Sequence, residues 1–572
     1  MRLKLLPAVL LLAASASAQT TYLPMGSQEY ELFDRLETKT GSLSNTVFST
    51  LKPLSRKDMV SYLETRDPIF TADSGDAVPA ILITPLTNVD NFRIRRAISI
   101  SGEWAADGDG FQMSNRPVLK HFYQTQSDLY RVLTPDFFLS VNPVIGLQAT
   151  FEQTDPNRGE SRLRYLNSRG VEVRGRIANK VGFYTFFTDN QERLPLFVQD
   201  WAQSHQAVPG ADYYQTAKGS TYDYLLARGY VDFAAVKNHI NVTFGYDHNF
   251  IGDGERSLFL SDFASSGAAF LRLRTRIWRL MYQNLYMELA PQYTRGADQQ
   301  LPHKYATIHH LSVNATRWLN VGLFEGVVFD RADRYPFSYL NPIILYRQVE
   351  RAAGSPDNAV LGLSVKAIAA RKLQFYGQFL LDEFRFSELT GGRGWFGNKF
   401  GVQAGAKYFD AFGIPNLDLQ AEVNAVRPFT YAHSDTLANY THYNQPLAHP
   451  LESGFVEFIG KASYRPYKTL LLSARGSMYR KGTDTAGYNL GNSVFNAYNT
   501  GIPSEYGYGL TPGKQATVML ADLHATWEPK PRLFLDMGVA TRRYSLDNNS
   551  NNTTWAYAGL RLNLARRDYQ FY

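Results

Sequence analysis

The side chains best placed to do chemistry gather late in the chain. Pro428-Phe-Thr-Tyr-Ala-His-Ser and Tyr440-Thr-His-Tyr-Asn-Gln-Pro-Leu-Ala-His449 set His433, His442 and His449 among Tyr431 and Tyr443. Three imidazoles are raw material for a metal site, but spacings of nine and seven residues suit no compact one. Aromatic faces beside Asn, Gln and His suit sugar better, since a ring stacks on a pyranose while amides meet its hydroxyls. Gly391-Gly-Arg-Gly-Trp-Phe-Gly397 adds Arg393 and Trp395 on a flexible turn, as a sugar contact or as a loop anchor at a membrane surface. The candidate polysaccharide-binding residues are therefore Arg393, Trp395, Tyr431, His433, His442 and Tyr443. No Ser/His/Asp order, paired carboxylates or metalloprotease helix stands out. The reading is a non-enzyme with no catalytic residues, no metal and no cofactor.

These residues need a scaffold, and the chain's alternation supplies one. Leu417-Asp-Leu-Gln-Ala-Glu-Val-Asn-Ala425 alternates without a fault, and Met519 to Trp527 does so in its apolar set. Runs of about 9–11 residues are the length a tilted strand needs to cross a bilayer. The gaps between runs alternate in length. Short ones fall at Lys237-Asn238, Thr275-Arg276, Arg317, Arg371-Lys372, Asp410 to Pro415, Arg465 to Lys468 and Glu528 to Arg532. Long ones fall at Asp189 to Tyr224, Asn249 to Ala264, Pro291 to Lys304, Asp330 to Ala359, Arg385 to Asn398, Pro428 to Glu452 and Arg480 to Gln515, and the gap near Asp547 is medium. Short turns on one side and long loops on the other are the mark of an outer-membrane barrel. The fold class is all-β: a transmembrane antiparallel β-barrel of about 18 strands. The count becomes about 20 if Arg96–Trp104 and Leu119–Thr125 form a first hairpin. At the C-terminal end Ala556, Ala558, Leu560, Leu562 and Leu564 share one strand face, opposite Trp555, Tyr557, Gly559, Arg561 and Asn563. The tail from Arg566 either extends this strand below the bilayer or forms a girdle.

Composition agrees. Aromatics are 14% of 572 residues while mean hydropathy is below zero, as when only alternate strand residues face lipid. There is no Cys and no long apolar run. Arg2 and Lys4, an apolar Leu5–Ala14 and Ala16-Ser17-Ala18 read as an export leader, residues 1–18. A formal charge of +7, or about +5 without Arg2 and Lys4, argues for no nucleic-acid role and permits acidic polysaccharide. Residues 19–95 read as a small periplasmic helical region and linker, with helices over Gln28–Thr38 and Ser55–Thr65, and 96–572 as the barrel.

Two gaps look re-entrant. Asn249-Phe-Ile-Gly-Asp-Gly-Glu-Arg-Ser-Leu-Phe-Leu-Ser-Asp262 lacks the Lys of a phosphate loop and the carboxylates of a calcium loop. It reads as a loop folded into the barrel mouth, with Arg256 and Asp262 in ion pairs. Tyr335–Asn358 holds Ile343, Ile344, Leu345 and Val349, too apolar for a loop in water. It is expected inside the lumen, with Asn341, Arg347 and Glu350 as plug contacts or ligand contacts.

The same segments carry a resemblance. Asn249–Asp262, Tyr339-Leu-Asn-Pro-Ile-Ile-Leu-Tyr-Arg-Gln-Val-Glu350 with Gly354-Ser-Pro-Asp-Asn358, Tyr376–Phe384 and Glu422–Pro428 resemble the Wzi-like capsule-assembly outer-membrane proteins of the Bacteroidota. That branch includes proteins named gliding motility protein RemB. Leu23-Pro-Met-Gly-Ser27 and Lys52-Pro-Leu-Ser-Arg56 match it too. The resemblance implies an 18-stranded barrel, a helical bundle on the periplasmic side, and a lectin-like role in holding capsular or extracellular polysaccharide at the surface. It transfers no binding residues. The expected surroundings are polysaccharide, outer-membrane lipid and outer-membrane protein partners. The alternatives are a passive or selective porin, a scaffold subunit of a secretion or motility machine, and a barrel hydrolase.

Overall fold

The computed structural model describes residues 20–66 and 86–569, apart from 107, 154–161, 212, 218–219, 262–266, 294–301, 332–333, 343–345, 353, 355–356, 486 and 548. The leader at 1–18, Asp262 and the Ile343-Ile344-Leu345 triplet lie outside the described residues.

Eighteen strands close into one antiparallel barrel. They are β1 Phe137–Gln153, β2 Leu163–Ile177, β3 Val181–Arg193, β4 Thr221–Val236, β5 Ile240–Asp247 and β6 Ala268–Ile277. Next come β7 Leu280–Leu289, β8 Lys304–Asn314, β9 Leu319–Phe329, β10 Asn358–Ala369, β11 Leu373–Glu383 and β12 Lys399–Tyr408. The last are β13 Leu417–Val426, β14 Phe455–Tyr467, β15 Leu470–Thr483, β16 Lys514–Lys530, β17 Leu533–Leu546 and β18 Asn549–Leu562. Closure is β18 on β1, with Leu562 opposite Ile145 and Thr554 opposite Gln153.

Alternation sorts each strand between two solvents. On β16 and β17 the outward Leu523, Met537 and Val539 are exposed, while the inward Asp522 and Asp536 are buried. That inverts a water-soluble protein and requires lipid outside. The chain is therefore an outer-membrane barrel. Exposed Trp278, Phe412 and Tyr467 on the short turns form the periplasmic aromatic belt. One turn differs from expectation: Thr275-Arg276 lies within β6, and the reversal is Trp278-Arg279, with Trp278 at φ 54°.

The N-terminal region is helical. α1 spans Glu29–Thr40, α2 Arg56–Glu64 and α3 Asn88–Ile100. Ser55 Oγ caps α2 by accepting the Asp58 N–H at 3.1 Å. Leu32, Phe33, Leu36, Val60, Leu63, Ile94 and Ile98 form a small core of their own. Arg96–Trp104 is not a strand: Thr87 and Asp90 make a capping box that starts α3, and a short 3-10 turn follows it. Leu119–Thr125 pairs with no barrel strand either, so the count stays at 18. A boundary between 95 and 96 falls inside α3, and the first of the eighteen strands begins at Phe137, with the short strand Tyr130–Leu133 paired on its Phe138–Val141 stretch.

After β18 the described tail, through Tyr569, neither extends below the bilayer nor joins the girdle. It turns into the lumen. Arg566 Nη2 lies 3.2 Å from Asp522 Oδ2, Arg475 Nη1 lies 3.3 Å from Asp568 Oδ2, and the Tyr569 hydroxyl donates to Glu192 at 2.8 Å.

Candidate functional site

The lumen is filled from both ends. From the periplasmic side, Arg35 pairs with Asp90 at 2.7 Å and with Asp410 and Asp418 at 2.6 Å each. Lys407 holds Asp34 at 2.7 Å, and Lys461 holds Glu31 at 2.7 Å. Burial pushes the Asp34 carboxyl up, but Lys407, Lys366 and Lys52 outweigh it and hold it at about 2. From the extracellular side the 250–260 loop descends until Phe250 and Ile251 pair with Lys52 and Leu51. Plug and loop thus share a two-stranded sheet inside the barrel.

Of the two ion pairs expected in that loop, the described one is that of Arg256. Arg256 Nη2 lies 2.9 Å from Glu457 Oε1, both side chains fully buried. Glu422 accepts the backbone N–H groups of Glu255 and Arg256 at 2.7 and 3.1 Å. Arg256 and Glu457 keep their charges here because they are paired and hydrogen-bonded to each other.

The 427–454 loop packs on top of it, and this removes most of the predicted sugar contacts. Tyr431 is 2% exposed and donates its hydroxyl to the Leu258 carbonyl at 2.7 Å. Tyr440 does the same to Phe259 at 2.8 Å. His442 is buried: Nδ1 accepts the Ala290 N–H and Nε2 donates to the Gly267 carbonyl, both at 2.9 Å. Tyr443 is half-buried, its ring centroid 4.7 Å from that of Tyr293. His433 accepts the Asp435 N–H at 3.2 Å. His449 Nε2 donates to Glu457 at 2.8 Å, and burial pulls its ring down to about 4 against the attraction of Glu457. Tyr431 and His442 are loop-packing residues. The three histidines serve separate partners, and among the described residues no cluster is arranged to hold a metal ion.

The 335–352 segment is the largest correction, because its described residues lie against the outside of the barrel. On β8, Lys304, Ala306 and Ile308 face the lumen, where Lys304 donates to the Asn439 carbonyl at 2.8 Å. Thr307 and His309 therefore face out. The segment straps across this outer face. Thr307 bonds the Tyr335 hydroxyl, the Tyr286 hydroxyl donates to the Leu340 carbonyl at 3.1 Å, and His309 lies 4.4 Å from the Tyr346 ring. The Tyr346 N–H donates to both carboxylate oxygens of Glu325 at 2.9 Å. Asn341 and Arg347 are exposed, and Glu350 is buried in the strap, so none plugs the lumen. Val349, the one described residue of the four apolar ones, is half-buried there, and a lipid-facing wall supplies apolar surroundings as well as a lumen does. A bare Glu325 and His309 facing lipid would be costly, and the strap covers them.

Arg393 and Trp395 do come together, on a surface completed by residues the sequence reading missed. The turn after β11 zips onto the loop before β16. Gly507 and Tyr508 donate N–H groups to the Arg393 and Gly394 carbonyls at 3.0 Å, and Phe396 donates to Glu505 at 3.0 Å. Gly394 sits at φ 67°, and a Cβ there would meet the Tyr508 carbonyl oxygen at 2.8 Å. The Arg393 guanidinium lies 4.4 Å from the Tyr506 ring and pairs with Glu388 at 3.0 Å. Arg385 lies 4.7 Å from the Trp395 ring. Such cation–π contacts are worth about 0.5–1 kcal/mol when exposed. They leave aromatic edges and guanidinium donors facing the medium, which is what a sugar with hydroxyl and carboxylate groups uses. Ser504-Glu-Tyr-Gly-Tyr508 was the legible signal, an aromatic pair in a long loop.

Inside, a cleft of about 590 Å³ remains between α1, α3 and the barrel wall, lined among others by Arg93, Arg465, Arg475, His524 and Arg532.

No family model and no curated protein matches the sequence. Among solved structures the chain is similar to Wzi, an outer-membrane protein involved in group 1 capsule assembly in Escherichia coli, described as a carbohydrate-binding β-barrel. Identity is 11%, coverage is 96% of this chain and 100% of that one, and the TM-score is 0.53. It also matches Pseudomonas aeruginosa OprD at 12% identity, covering 74% of this chain and 95% of that one, with a TM-score of 0.40. At these identities the shared property is the fold: a closed outer-membrane β-barrel of the kind seen in Wzi.

Proposed function

We propose that this barrel is a non-enzymatic surface protein that binds capsular or extracellular polysaccharide, in capsule assembly, adhesion or gliding. The observation that carries this reading is the pair of exposed guanidinium groups, Arg393 and Arg385, resting on the half-buried Tyr506 and Trp395 rings above a lumen filled from both ends. The carbohydrate binding attributed to Wzi supports it. The test is glycan-array binding of the refolded full chain. Wild type should bind an acidic surface glycan, and Trp395→Ala should weaken it at least about tenfold, the loss expected of an aromatic anchor. No glycan bound by wild type, or equal binding by the variant, would overturn the reading.

A selective porin is the second reading, and the lumenal cleft favours it. It predicts steady conductance of wild type in planar bilayers. The filled lumen predicts none.

A further inference from the structure

We propose that the cleft inside the barrel is a binding site, entered from the periplasm, for a sugar that carries a carboxylate or a phosphate group. It stands on lumenal residues only and does not rest on the surface reading above. The floor of the cleft is the inward face of β14 and β15. Lys461 stands directly opposite Arg475, and Ser463 directly opposite Ser473. All four line the cleft, and so does Arg465 at the periplasmic end of β14. Like charges directly opposite each other on a strand pair repel. Glu255 holds this pair together, its carboxylate 3.3 Å from Lys461 and 3.8 Å from Arg475. Arg93 of α3 joins the group through Gln28. Its Nη2 donates to the Gln28 backbone carbonyl at 3.4 Å, and Arg465 Nη2 donates to the Gln28 side-chain oxygen at 3.1 Å. The mouth is periplasmic: Lys468 and Arg532, in the short turns after β14 and β16, line it, and the Glu31 side chain beside it is 43% exposed.

The carboxylates present leave donors of these cations unused. Glu31 sits 2.7 Å from Lys461 but 3.9 Å from Arg465. Asp568 accepts from one nitrogen of Arg475 at 3.3 Å, while Nε and Nη2 of that guanidinium are buried with no hydrogen-bond partner among the described residues. Arg93 is 8% exposed, and no carboxylate among the described residues lies within 4.0 Å of it. The Ser463 and Ser473 hydroxyls face the cleft and make no side-chain hydrogen bond among the described residues. Buried donors without acceptors are costly, and an anionic oxygen accepts from guanidinium and hydroxyl donors together. The paired serine hydroxyls suit the hydroxyls of a sugar, and Phe92 and Phe534 on the same lining offer it apolar faces. The volume of about 590 Å³ lies within the range of roughly 300–1,000 Å³ usual for small-molecule sites.

The experiment titrates the full chain in detergent with glucuronate, glucose 1-phosphate, glucose and inorganic phosphate, by isothermal titration calorimetry. At least one of the two sugar acids should bind saturably and about tenfold more tightly than glucose, the factor expected of a charge-assisted hydrogen bond. The tighter of the two names the anionic group. Arg465→Gln should remove about that factor, and Ser473→Phe, which fills the floor without removing a charge, should abolish binding. Heat-modifiable gel mobility shows that each variant is folded. Ser463→Ala/Ser473→Ala breaks no hydrogen bond of the folded barrel and should weaken binding about fivefold. Glucose binding as tightly as both sugar acids, Ser473→Phe binding like wild type, or no saturable binding of any probe would overturn the proposal. Inorganic phosphate binding as tightly as either sugar acid would overturn the sugar assignment. Binding lost in Trp395→Ala but kept in Ser473→Phe would put the ligand on the extracellular surface and overturn the cleft site. Glycan-array binding by wild type decides the surface reading separately.

Discussion

Replacing Arg256 with Met should open the barrel from the extracellular side. The guanidinium holds Glu457 at 2.9 and 3.2 Å in a place neither side chain shares with solvent. Removing one partner strands a buried carboxylate, which costs about 3–5 kcal/mol. That corresponds to roughly two to four powers of ten in the ratio of inserted to displaced loop. The 250–260 loop also pairs with Leu51 and Lys52 of the plug, so its displacement loosens both closures together. Two assays read this: single-channel conductance in planar bilayers, and protease cleavage within 250–260 on intact cells. Wild type should be silent and uncut, and Arg256→Met conducting and cut. Arg256→Met with Glu457→Gln should recover most of the closure, since the neutral amide still accepts from His449 and Asn424, now 2.8 and 3.2 Å from Glu457. An Arg256→Met barrel as closed as wild type would refute the reasoning, as would a double variant no better than the single one.

Three other outcomes follow from the same contacts. His449 is held near 4 in the folded loop, below its unfolded value of about 6.5. The displaced loop therefore binds more protons, so the His449 contribution to loop insertion is whole above about pH 6.5 and is lost as pH falls toward 4, readable as acid-induced cleavage of 428–454. Asp34 at about 2 behaves alike in a lower window: its contribution to plug docking is present above about pH 4 and is lost toward pH 2, readable by conductance against pH. Glu325→Gln should weaken the capture of the Tyr346 N–H by about 1 kcal/mol and expose the strap to protease without opening the lumen, so conductance and cleavage would separate.

The strands were legible because alternation is a local property. Leu417 to Ala425 shows its two faces to anyone counting by twos. The loops were legible only in part. An ion pair was expected of Arg256 and of Asp262; Arg256 makes one with Glu457, and Asp262 lies outside the described residues. The strap was misplaced because an apolar segment reveals that it is buried but not beneath which wall. The missing clue was parity: Thr307, His309 and Glu325 are polar residues in the lipid-facing register of β8 and β9, which demands a cover. α3 was missed although Thr87-x-x-Asp90 is a capping box, because Arg96–Trp104 also offers a short alternating run. Tyr431 and His442 do lie in the long loop between β13 and β14. Their burial depends on how that loop packs against Leu258 and Ala290, contacts more than 150 residues away in sequence.

The most direct test of the central claim is equilibrium binding of the purified full chain to the acidic surface polysaccharide of its own cells, with wild type beside Trp395→Ala/Tyr506→Ala. Saturable binding that falls at least about tenfold in the double variant is the predicted result. Binding that survives removal of both rings, or no binding by a folded wild-type barrel, would contradict it.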